Sequence, residues 1–316
     1  MRGFLDIALA PDDNYAKYAK VVMQSAMDAC KTPLRFWILD GGLSDNCKQM
    51  LKSVSDNVEI VKINKDMFCG FPSNGYITVS TWYRFAIAEL LPDSVKRVLY
   101  LDCDIAVADD ISELADINLD NYAVAAVKDC IYKKFDKRIG LCQNYHYFNA
   151  GVLLINLNYW RQKNVCKRLF DFLAKSPENL RLFDQSVLNL VLKDEYLELD
   201  LRYNVQYVPP FLEESCYERG EFCAAFARPK IIHFVNRFKP WNANFGWLNP
   251  LNAYFARYLK CSYTRRKFAV FLRLFAKRFV RKPVILFRCY YWNNVALHFA
   301  AKAFAAKKGK SHKAGT

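Results

Sequence analysis

The chain has 316 residues, of which 53% are hydrophobic and 16% aromatic, which allows a substantial core and excludes an intrinsically disordered protein. Its formal net charge is +15, and this charge is unevenly distributed. Residues 1–221 contain 26 basic and 31 acidic residues, whereas the last 95 residues contain 20 basic and no acidic ones. The basic composition therefore describes one end of the chain rather than its whole surface.

Neither a signal peptide nor a transmembrane helix is predicted. Residues 1–10 contain an aspartate at position 6 and too short an apolar run for a signal peptide. The sequence has no run of about 18 uncharged apolar residues, as a transmembrane helix would need. The 11 cysteines are scattered without a Cys-x-x-Cys pair, so we expect a reducing cytosol, no disulfide framework and no zinc site.

Short apolar runs alternate with helix-like stretches through most of the chain. The predicted strands cover Leu5–Ala10, Leu34–Leu39, Val58–Ile63, Val98–Asp102, Tyr122–Val127, Phe148–Leu157, Tyr196–Leu201 and Ile231–Val235. The predicted helices cover Tyr15–Cys30, Ser44–Val54, Thr78–Leu90, Trp160–Lys175 and Asp184–Leu192. This alternation predicts an α/β fold with a mainly parallel sheet that is covered on both faces.

The chain changes character from Tyr254 onward. Apolar residues between Phe268 and Phe279 recur at the spacing of one helical face, cations occupy the other face, and Pro283 ends the pattern. Such a helix is typical of an anionic membrane interface. We therefore predict a globular domain over residues 1–250 and a basic, helical, membrane-associating tail over residues 251–316, with residues 254–313 meeting the membrane.

The segment Arg97–Val107, RVLYLDCDIAV, ends an apolar strand in two carboxylates, Asp102 and Asp104, on either side of Cys103. Ligands of open α/β sheets collect at the carboxyl ends of strands. Paired carboxylates there suit Mn²⁺ or Mg²⁺, which can bridge to the phosphates of a nucleotide. Asp-x-Asp alone is a weak motif, expected by chance about once in a chain of this size, and a solvated strand end is the alternative interpretation.

Three further segments strengthen this interpretation. Tyr147–Leu157 reads YFNAGVLLINL, LAPDDNY lies near the start, and HFVNRFKPW lies later. With the Asp-x-Asp segment they resemble, in order and spacing, the retaining glycosyltransferases of family 8, in particular bacterial lipooligosaccharide α-galactosyltransferases and lipopolysaccharide core hexosyltransferases. The resemblance covers roughly residues 4–250. It implies a GT-A-type, single Rossmann-like catalytic domain with a mixed, mostly parallel sheet, which binds a nucleotide sugar.

The resemblance implies a metal ion bound by Asp102, Asp104 and His233. Two carboxylates and an imidazole suit Mn²⁺, and ligand type alone also permits Mg²⁺. His233 follows two isoleucines, so a satisfied core histidine is the alternative. Lys239 is implied to bind the donor diphosphate. The family has a glycine between this histidine and lysine, where the chain has Asn236, a residue that tolerates left-handed backbone angles better than most.

The donor-binding set that the resemblance implies is Ala10, Asp12, Asn14, Arg84, Asp102, Cys103, Asp129, Asn149, Ala150, Asp184, Gln185, His233, Asn236 and Lys239. Its members from LAPDDNY would contact the uracil and ribose, while Asp129 and Asp184–Gln185 would hold hydroxyls of the transferred sugar. Several of these residues also have an ordinary structural alternative. These are a turn that caps the next helix for the LAPDDNY residues, a surface salt bridge for Arg84 and an N-cap for Asp184.

The implied reaction is metal-dependent transfer of galactose or glucose from a UDP-hexose to a glycolipid or oligosaccharide acceptor, the core of lipopolysaccharide or lipooligosaccharide, in α-linkage. The candidate catalytic residues are Gln185 and Asp184. The resemblance implies that Gln185 lies beneath the anomeric carbon, but an amide is a poor nucleophile. Asp184 is a stronger base, but the resemblance also implies that it binds hydroxyls of the transferred sugar. We favour a front-face displacement in which the leaving phosphate accepts the acceptor's proton, and double displacement stays open.

Two other classes of protein compete with this hypothesis. The tail cations interleaved with aromatic residues are compatible with nucleic-acid binding, but the apolar helical face fits a membrane better, so no nucleic-acid partner is expected. A non-catalytic membrane-associated protein on the same fold would have no need for the complete ligand set. We therefore predict a cytoplasmic bacterial enzyme, peripheral at the inner face of the plasma membrane.

Overall fold

The structure, a computed structural model, describes residues 3–71, 78–130, 145–175, 184–207, 217–236, 238–242 and 249–259. In this part of the chain the strands are β1 (Leu5–Leu9), β2 (Leu34–Asp40), β3 (Val58–Lys62), β4 (Arg97–Leu101), β5 (Ile105–Val107), β6 (Val124–Lys128), β7 (Phe148–Asn156), β8 (Tyr196–Glu198), β9 (Val205–Gln206) and β10 (Ile231–His233). The α-helices are α1 (Ala16–Ala29), α2 (Asp45–Lys52), α3 (Ile87–Leu90), α4 (Leu157–Gln162), α5 (Val165–Lys175), α6 (Asp184–Val191), α7 (Arg219–Ala227) and α8 (Asn252–Ala256).

Seven strands form one mixed sheet in the order β3-β2-β1-β4-β7-β6-β8. Six of them run in the same direction, and β7 is antiparallel to its neighbours β4 and β6. This confirms the predicted mixed, mostly parallel sheet. Because β7 runs the opposite way, its first residues lie beside the carboxyl end of β4, and the amide of Asp102 donates to the carbonyl of Gly151 at 2.8 Å. The Asp-x-Asp and Asn-Ala-Gly motifs therefore meet at one edge of the sheet.

A second, three-stranded sheet brings the third motif to the same edge. Its order is β5-β10-β9, with β10 antiparallel to β5 and parallel to β9. His233 pairs with Ile105, and the amide of Phe234 donates to the carbonyl of Asp104 at 2.9 Å. The backbone of the Asp-x-Asp segment is thus paired with β7 on one side and with the strand that carries His233 on the other.

Helices cover both faces of the central sheet, as predicted. Alternate strand residues such as Ile7 and Leu154 belong to the core beneath α1, and their neighbours Ala8 and Leu153 belong to the core on the opposite face. That opposite core contains side chains from α3, α4, α5 and α6, among them the fully buried Trp160. Successive residues of a strand point to opposite faces of the sheet. A sheet that is covered on both faces therefore needs apolar residues at all of these positions.

Two predicted helices take a different form. The segment predicted as a helix over Thr78–Leu90 is a 3₁₀ helix over Val79–Ala86 that α3 continues. In a 3₁₀ helix, side chains three residues apart lie in line, and Trp82 and Phe85 accordingly contact each other with ring centroids 5.2 Å apart. The helix predicted over Trp160–Lys175 is interrupted at Asn164, whose φ of +50° ends α4 and lets α5 begin in a new direction.

The last described residues pack against the globular domain. Leu251 and Phe255 are buried in the core beneath α1, and the hydroxyl of Tyr258 donates to Asp28 at 2.9 Å. The predicted amphipathic segment lies beyond them, outside the described residues, so the division into domain and tail stays a prediction. Among the residues that the structure describes, no helix combines the length and apolarity needed to span a membrane.

Candidate active site

Three side chains with metal-ligating atoms converge at the shared edge of the two sheets. Asp102 follows β4, Asp104 precedes β5 and His233 ends β10. Nε2 of His233 lies 3.2 Å from Oδ1 of Asp104 and 3.9 Å from Oδ2 of Asp102, and one ligand atom from each residue lies within 4.8 Å of the other two. Two carboxylates and an imidazole at these separations form a donor set that fits a divalent cation such as Mn²⁺ or Mg²⁺.

Lys239 donates from its ammonium group to Oδ2 of Asp104, beside the imidazole of His233. Burial would raise the pKa of Asp104, but the cationic Lys239 and the hydrogen bond with His233 hold that pKa well below its ordinary value. Burial would likewise lower the pKa of Lys239, and Asp104 raises it above its ordinary value. The candidate metal site therefore contains an ionised carboxylate and a fixed ammonium group in contact.

Arg84 is buried behind the site rather than exposed on the surface, with 3% of its surface accessible. Its Nη2 donates to Oδ1 of Asp102 at 2.8 Å, its Nη1 donates to the carbonyl of Ala150, and its Nε lies 3.2 Å from Oδ2 of Asp184. Burial would lower the pKa of Arg84, and the carboxylates of Asp102 and Asp184 raise it. Arg84 therefore belongs to a buried ion-pair network and does not form the surface salt bridge that was considered as the alternative.

A hydrogen-bonded group of polar side chains lies on the β6 side of the site. Nδ2 of Asn149 donates to Oδ2 of Asp129 at 3.0 Å and to Oε1 of Gln185 at 3.2 Å. Nε2 of Gln185 donates to the same Asp129 oxygen at 3.1 Å, and the amide of Ala150 donates to Oε1 of Gln185 at 3.0 Å. These contacts fix the amide orientations, and the network offers a rigid polar surface to a ligand in the cavity beside it.

Asp184 is the first residue of α6 and is buried. Burial raises the pKa of its carboxyl group to about 6, with Arg84 lowering this value and the nearby Asp102 raising it. A carboxyl group with such a pKa can change its protonation state close to neutral pH, which is a property of groups that exchange protons in active sites.

The LAPDDNY segment forms the turn between β1 and α1. Oδ1 of Asp12 accepts from the amide of Tyr15 at 2.9 Å, and the carbonyl of Asp12 accepts from the amide of Ala16 at 2.8 Å. Asp12 therefore closes the turn that leads into α1, although the N-cap of α1 is Tyr15, and Asn14 is exposed. A ligand-binding role for these two side chains stays a prediction, whereas Ala10 lies directly on the cavity wall.

At two positions near the site, Asn236 and Gly151, the structure favours glycine. Asn236 has a φ of +58°, the left-handed conformation that glycine adopts most readily. At Gly151 a Cβ atom would overlap Cε1 of His233 and would lie 2.9 Å from Oδ2 of Asp102. Gly151 thus allows the imidazole to approach β7. Cys103, between the two carboxylates, is buried, and its burial raises the pKa of the thiol well above its ordinary value.

A cavity joins these groups. It is lined by Ala10, Tyr15, Thr78, Ser80, Thr81, Arg84, Tyr100, Asp102, Cys103, Asp104, Ala150, Asp184, Gln185 and Lys239. Of the predicted residues, Asp129, Asn149 and His233 lie directly behind this wall through the contacts given above. Sequence analysis did not single out Tyr15 or the hydroxyl residues Thr78, Ser80 and Thr81. The available indications were that Tyr15 is the last residue of LAPDDNY and that the three hydroxyl residues come shortly before Arg84.

Comparison with known proteins agrees with this geometry. Residues 6–244 match the model of glycosyl transferase family 8, and the chain belongs to that family. General stress protein A of Bacillus subtilis is 31% identical over 253 residues, which cover 76% of this chain and 88% of that protein. The lipopolysaccharide 1,3-galactosyltransferase of Salmonella typhimurium is 31% identical over 218 residues, covering 65% of this chain and 61% of that protein.

The fold is also similar to solved structures. The structure of the galactosyltransferase LgtC in complex with donor and acceptor sugar analogues matches with a TM-score of 0.71 and 26% identity, over 84% of this chain and 100% of that one. The predicted GT-A-type fold is thereby confirmed, and the chain is a glycosyltransferase whose candidate site can hold a divalent metal ion.

Proposed function

We propose that the protein is a metal-dependent, retaining hexosyltransferase that transfers galactose or glucose from a UDP-sugar to the core of a lipopolysaccharide or lipooligosaccharide, forming an α-linkage. The observation that carries the proposal is the convergence of Asp102, Asp104 and His233 with the ammonium group of Lys239 at one cavity. A divalent cation and a fixed ammonium beside it suit a diphosphate leaving group. The galactosyltransferase names of two relatives support a hexose as the transferred group.

In this proposal Asp102, Asp104 and His233 hold Mn²⁺, with Mg²⁺ as the alternative. A metal ion bound there would act as a Lewis acid and stabilise negative charge on the departing diphosphate. Lys239, whose pKa is raised by Asp104, stays protonated and binds the diphosphate as a fixed cation. Ala10 and the half-buried ring of Tyr15 lie on the adjoining cavity wall, where they offer an apolar surface for the uracil base.

The transferred sugar would lie against Gln185, with Asp129 and Asn149 directly behind it. Their shared hydrogen bonds leave the network rigid, so sugar hydroxyls can be bound without reorganisation of the side chains. Positive charge that develops at the anomeric carbon would be met by the carboxylates of Asp129 and Asp184. We infer a front-face displacement, in which the leaving phosphate accepts the proton of the acceptor hydroxyl.

Release of UDP tests this function directly. Purified protein is incubated with UDP-galactose and UDP-glucose in parallel, with Mn²⁺ or with a chelator. We expect Mn²⁺-dependent release from one donor, reduced by about 10²-fold or more in Asp102→Ala. Asp109→Ala, at an exposed aspartate beyond β5, is the matched control and should keep full release. Absence of release from both donors, together with no binding of UDP, would overturn the proposal.

We further propose that the basic tail holds the enzyme on an anionic membrane at which a glycolipid acceptor is presented. Truncation after residue 259 preserves the packed contacts of Phe255 and Tyr258 while it removes the predicted amphipathic segment. Sedimentation with vesicles of phosphatidylglycerol or phosphatidylcholine should show salt-sensitive binding of the full chain to the anionic vesicles only. The truncated protein should not bind vesicles but should still release UDP. Binding to RNA in place of vesicles would contradict the proposal.

A further inference from the structure

Asn204 connects the candidate metal site with the candidate sugar site, although neither motif contains it. It is completely buried at the end of the 3₁₀ helix Leu201–Asn204, directly before β9. Because β9 pairs with β10, Asn204 is placed next to the strand that ends at His233. Its Oδ1 lies 3.1 Å from Nδ1 of His233, and its Nδ2 donates to Oδ1 of Asn149 at 2.9 Å.

The hydrogen bonds of Asn149 determine which way the Asn204 amide points. The backbone amide of Gly151 donates to Oδ1 of Asn149 at 3.0 Å, and a backbone amide can only donate. Nδ2 of Asn149 faces Asp129, a carboxylate that accepts. Oδ1 of Asn149 therefore accepts a second hydrogen bond from Asn204, and this bond must come from Nδ2 of Asn204. The oxygen of Asn204 is then left to face the imidazole.

The orientation of Asn204 in turn fixes the imidazole. An amide oxygen only accepts, so Nδ1 of His233 carries the hydrogen that it donates to Asn204. Nε2, which faces Asp102 and Asp104, is then the nitrogen that can offer its lone pair to a metal ion when that ion replaces the hydrogen bond with Asp104. Metal-binding histidines commonly depend on such a hydrogen bond at the other ring nitrogen.

We propose that Asn204 is a positioning residue that holds His233 with Nε2 directed to the metal ion and links this histidine to the sugar-binding amide of Asn149. This inference rests on the proposed metal-dependent function. It gives Asn204 two separable contributions, one through the oxygen that accepts from His233 and one through the nitrogen that donates to Asn149.

Two substitutions separate these contributions. Asn204→Ala removes both hydrogen bonds, and we expect the affinity for Mn²⁺, measured by electron paramagnetic resonance with UDP present, to fall by about 10- to 100-fold. Asn204→Asp keeps an acceptor for Nδ1–H of His233 but loses the donor to Asn149. We expect this variant to retain an affinity for Mn²⁺ close to that of the unmodified protein, while its kcat for donor turnover falls because Asn149 loses a partner.

Asn189→Ala is the matched control for loss of a buried amide. Asn189 is also completely buried, and its side chain hydrogen-bonds to the backbone of Phe148 and Gln185 rather than to His233. We expect it to lower the thermal unfolding temperature without changing the affinity for Mn²⁺. Equal losses of Mn²⁺ affinity in Asn189→Ala and Asn204→Ala would overturn the inference, as would an Asn204→Asp variant that binds Mn²⁺ as weakly as Asn204→Ala.

Loading with Co²⁺ gives a readout that a purely structural role would not change. An imidazole bound through Nε2 has a paramagnetically shifted, exchangeable Nδ1–H signal in proton NMR, and we expect this signal in the unmodified protein and in Asn204→Asp. In Asn204→Ala it should exchange with water much faster. If Asp102→Ala leaves the affinity for Mn²⁺ unchanged, the proposed metal site itself is wrong. If Asp102→Ala abolishes binding and the Asn204 variants have no effect, only the role of Asn204 is wrong.

Discussion

Arg84 donates a hydrogen bond of 2.8 Å to one oxygen of Asp102, and the other oxygen of that carboxylate faces His233. The same guanidinium lies 3.2 Å from Asp184 and stacks over the ring of Tyr100, 4.2 Å from its centroid. One buried cation thus orients a candidate metal ligand and neutralises a second carboxylate. A planar, forked guanidinium can make these contacts together, which a lysine ammonium cannot.

Arg84→Gln should therefore affect stability as well as activity. The substitution leaves the carboxylate of Asp184 buried without its cation, and we expect the free energy of unfolding at neutral pH to fall by about 3–5 kcal/mol. Urea denaturation measures this change. The double variant Arg84→Gln/Asp184→Asn removes both charges and should recover part of the loss. Strictly additive effects of the two substitutions would contradict the ion-pair network.

Gly151→Ala tests the close approach of His233 to β7. The added methyl group would overlap Cε1 of His233 and crowd Oδ2 of Asp102, so the imidazole must move away from the candidate metal site. We expect a loss of about 1–3 kcal/mol in the free energy of unfolding and a weaker affinity for Mn²⁺. Calorimetric titration of Mn²⁺ in the presence of UDP measures the second effect.

Gly220→Ala is the matched control for this substitution. A Cβ atom at Gly220, in α7, would have no atom within 4 Å, and alanine favours a helix over glycine by roughly 0.5–1 kcal/mol. We expect this variant to be as stable as the unmodified protein or slightly more so, with unchanged affinity for Mn²⁺. A similar loss of Mn²⁺ affinity in both variants would mean that the close approach of His233 to β7 is not the reason why Gly151→Ala weakens binding.

The buried carboxyl group of Asp184 should make stability depend on pH. Burial raises its pKa to about 6, against an ordinary value of 3.8, so between these pH values the folded protein keeps a proton that the unfolded chain has lost. Its contribution to stability is therefore present at low pH and is lost as the pH rises through about 6. Asp184→Asn should raise the free energy of unfolding by on the order of 1–3 kcal/mol near pH 7.5 and change it little near pH 4. Urea denaturation of both proteins at the two pH values checks this, and an equal difference at both would contradict it.

Asp104 should show the opposite dependence. Lys239 and His233 hold its pKa well below the ordinary value in spite of burial, so its ionised form stabilises the fold above about pH 4 and this contribution is lost as the pH falls further. Asp104→Asn should therefore destabilise the protein at neutral pH, by about 3–5 kcal/mol if Lys239 stays buried without its partner. The same urea experiments measure this change. An Asp104→Asn variant more stable than the unmodified protein at neutral pH would exclude the pairing.

The sequence predicted the central sheet and the position of the two carboxylates of the candidate metal site because these depend on local patterns. Short, continuous apolar runs marked each long strand, and Asp102 and Asp104 followed such a run directly. The antiparallel direction of β7 was not predictable in this way. A buried strand has the same apolar pattern whichever way it runs, and its direction depends on the chain connection before it.

The supporting residues of the site were beyond the reach of sequence patterns for a different reason. β9 has two residues, too few for periodicity to show, yet its pairing with β10 brings Asn204 next to His233. Arg84 lies in a helix-like segment where a surface salt bridge was the alternative to donor binding. Its burial depends on Asp102 and Asp184, which are distant in sequence, so only the assembled fold reveals it.

The contact between Lys239 and Asp104 predicts opposite changes in two measurements. The ammonium group occupies an oxygen of a candidate metal ligand, so in the absence of a nucleotide it competes with the metal ion for the same carboxylate. Lys239→Gln removes this competitor, and we expect the affinity for Mn²⁺ without UDP to rise by about 10-fold, equivalent to about 1.4 kcal/mol. The same variant lacks the fixed cation for the diphosphate, so its rate of donor turnover should fall by about 10²–10³-fold. Lys230→Gln is the matched control. The ammonium group of Lys230 lies 2.5 Å from a carboxylate oxygen of Glu113, outside the cavity, so this substitution should alter neither quantity. Parallel losses of Mn²⁺ affinity and turnover in Lys239→Gln would instead mean that Lys239 supports the metal site, and the competition would be excluded.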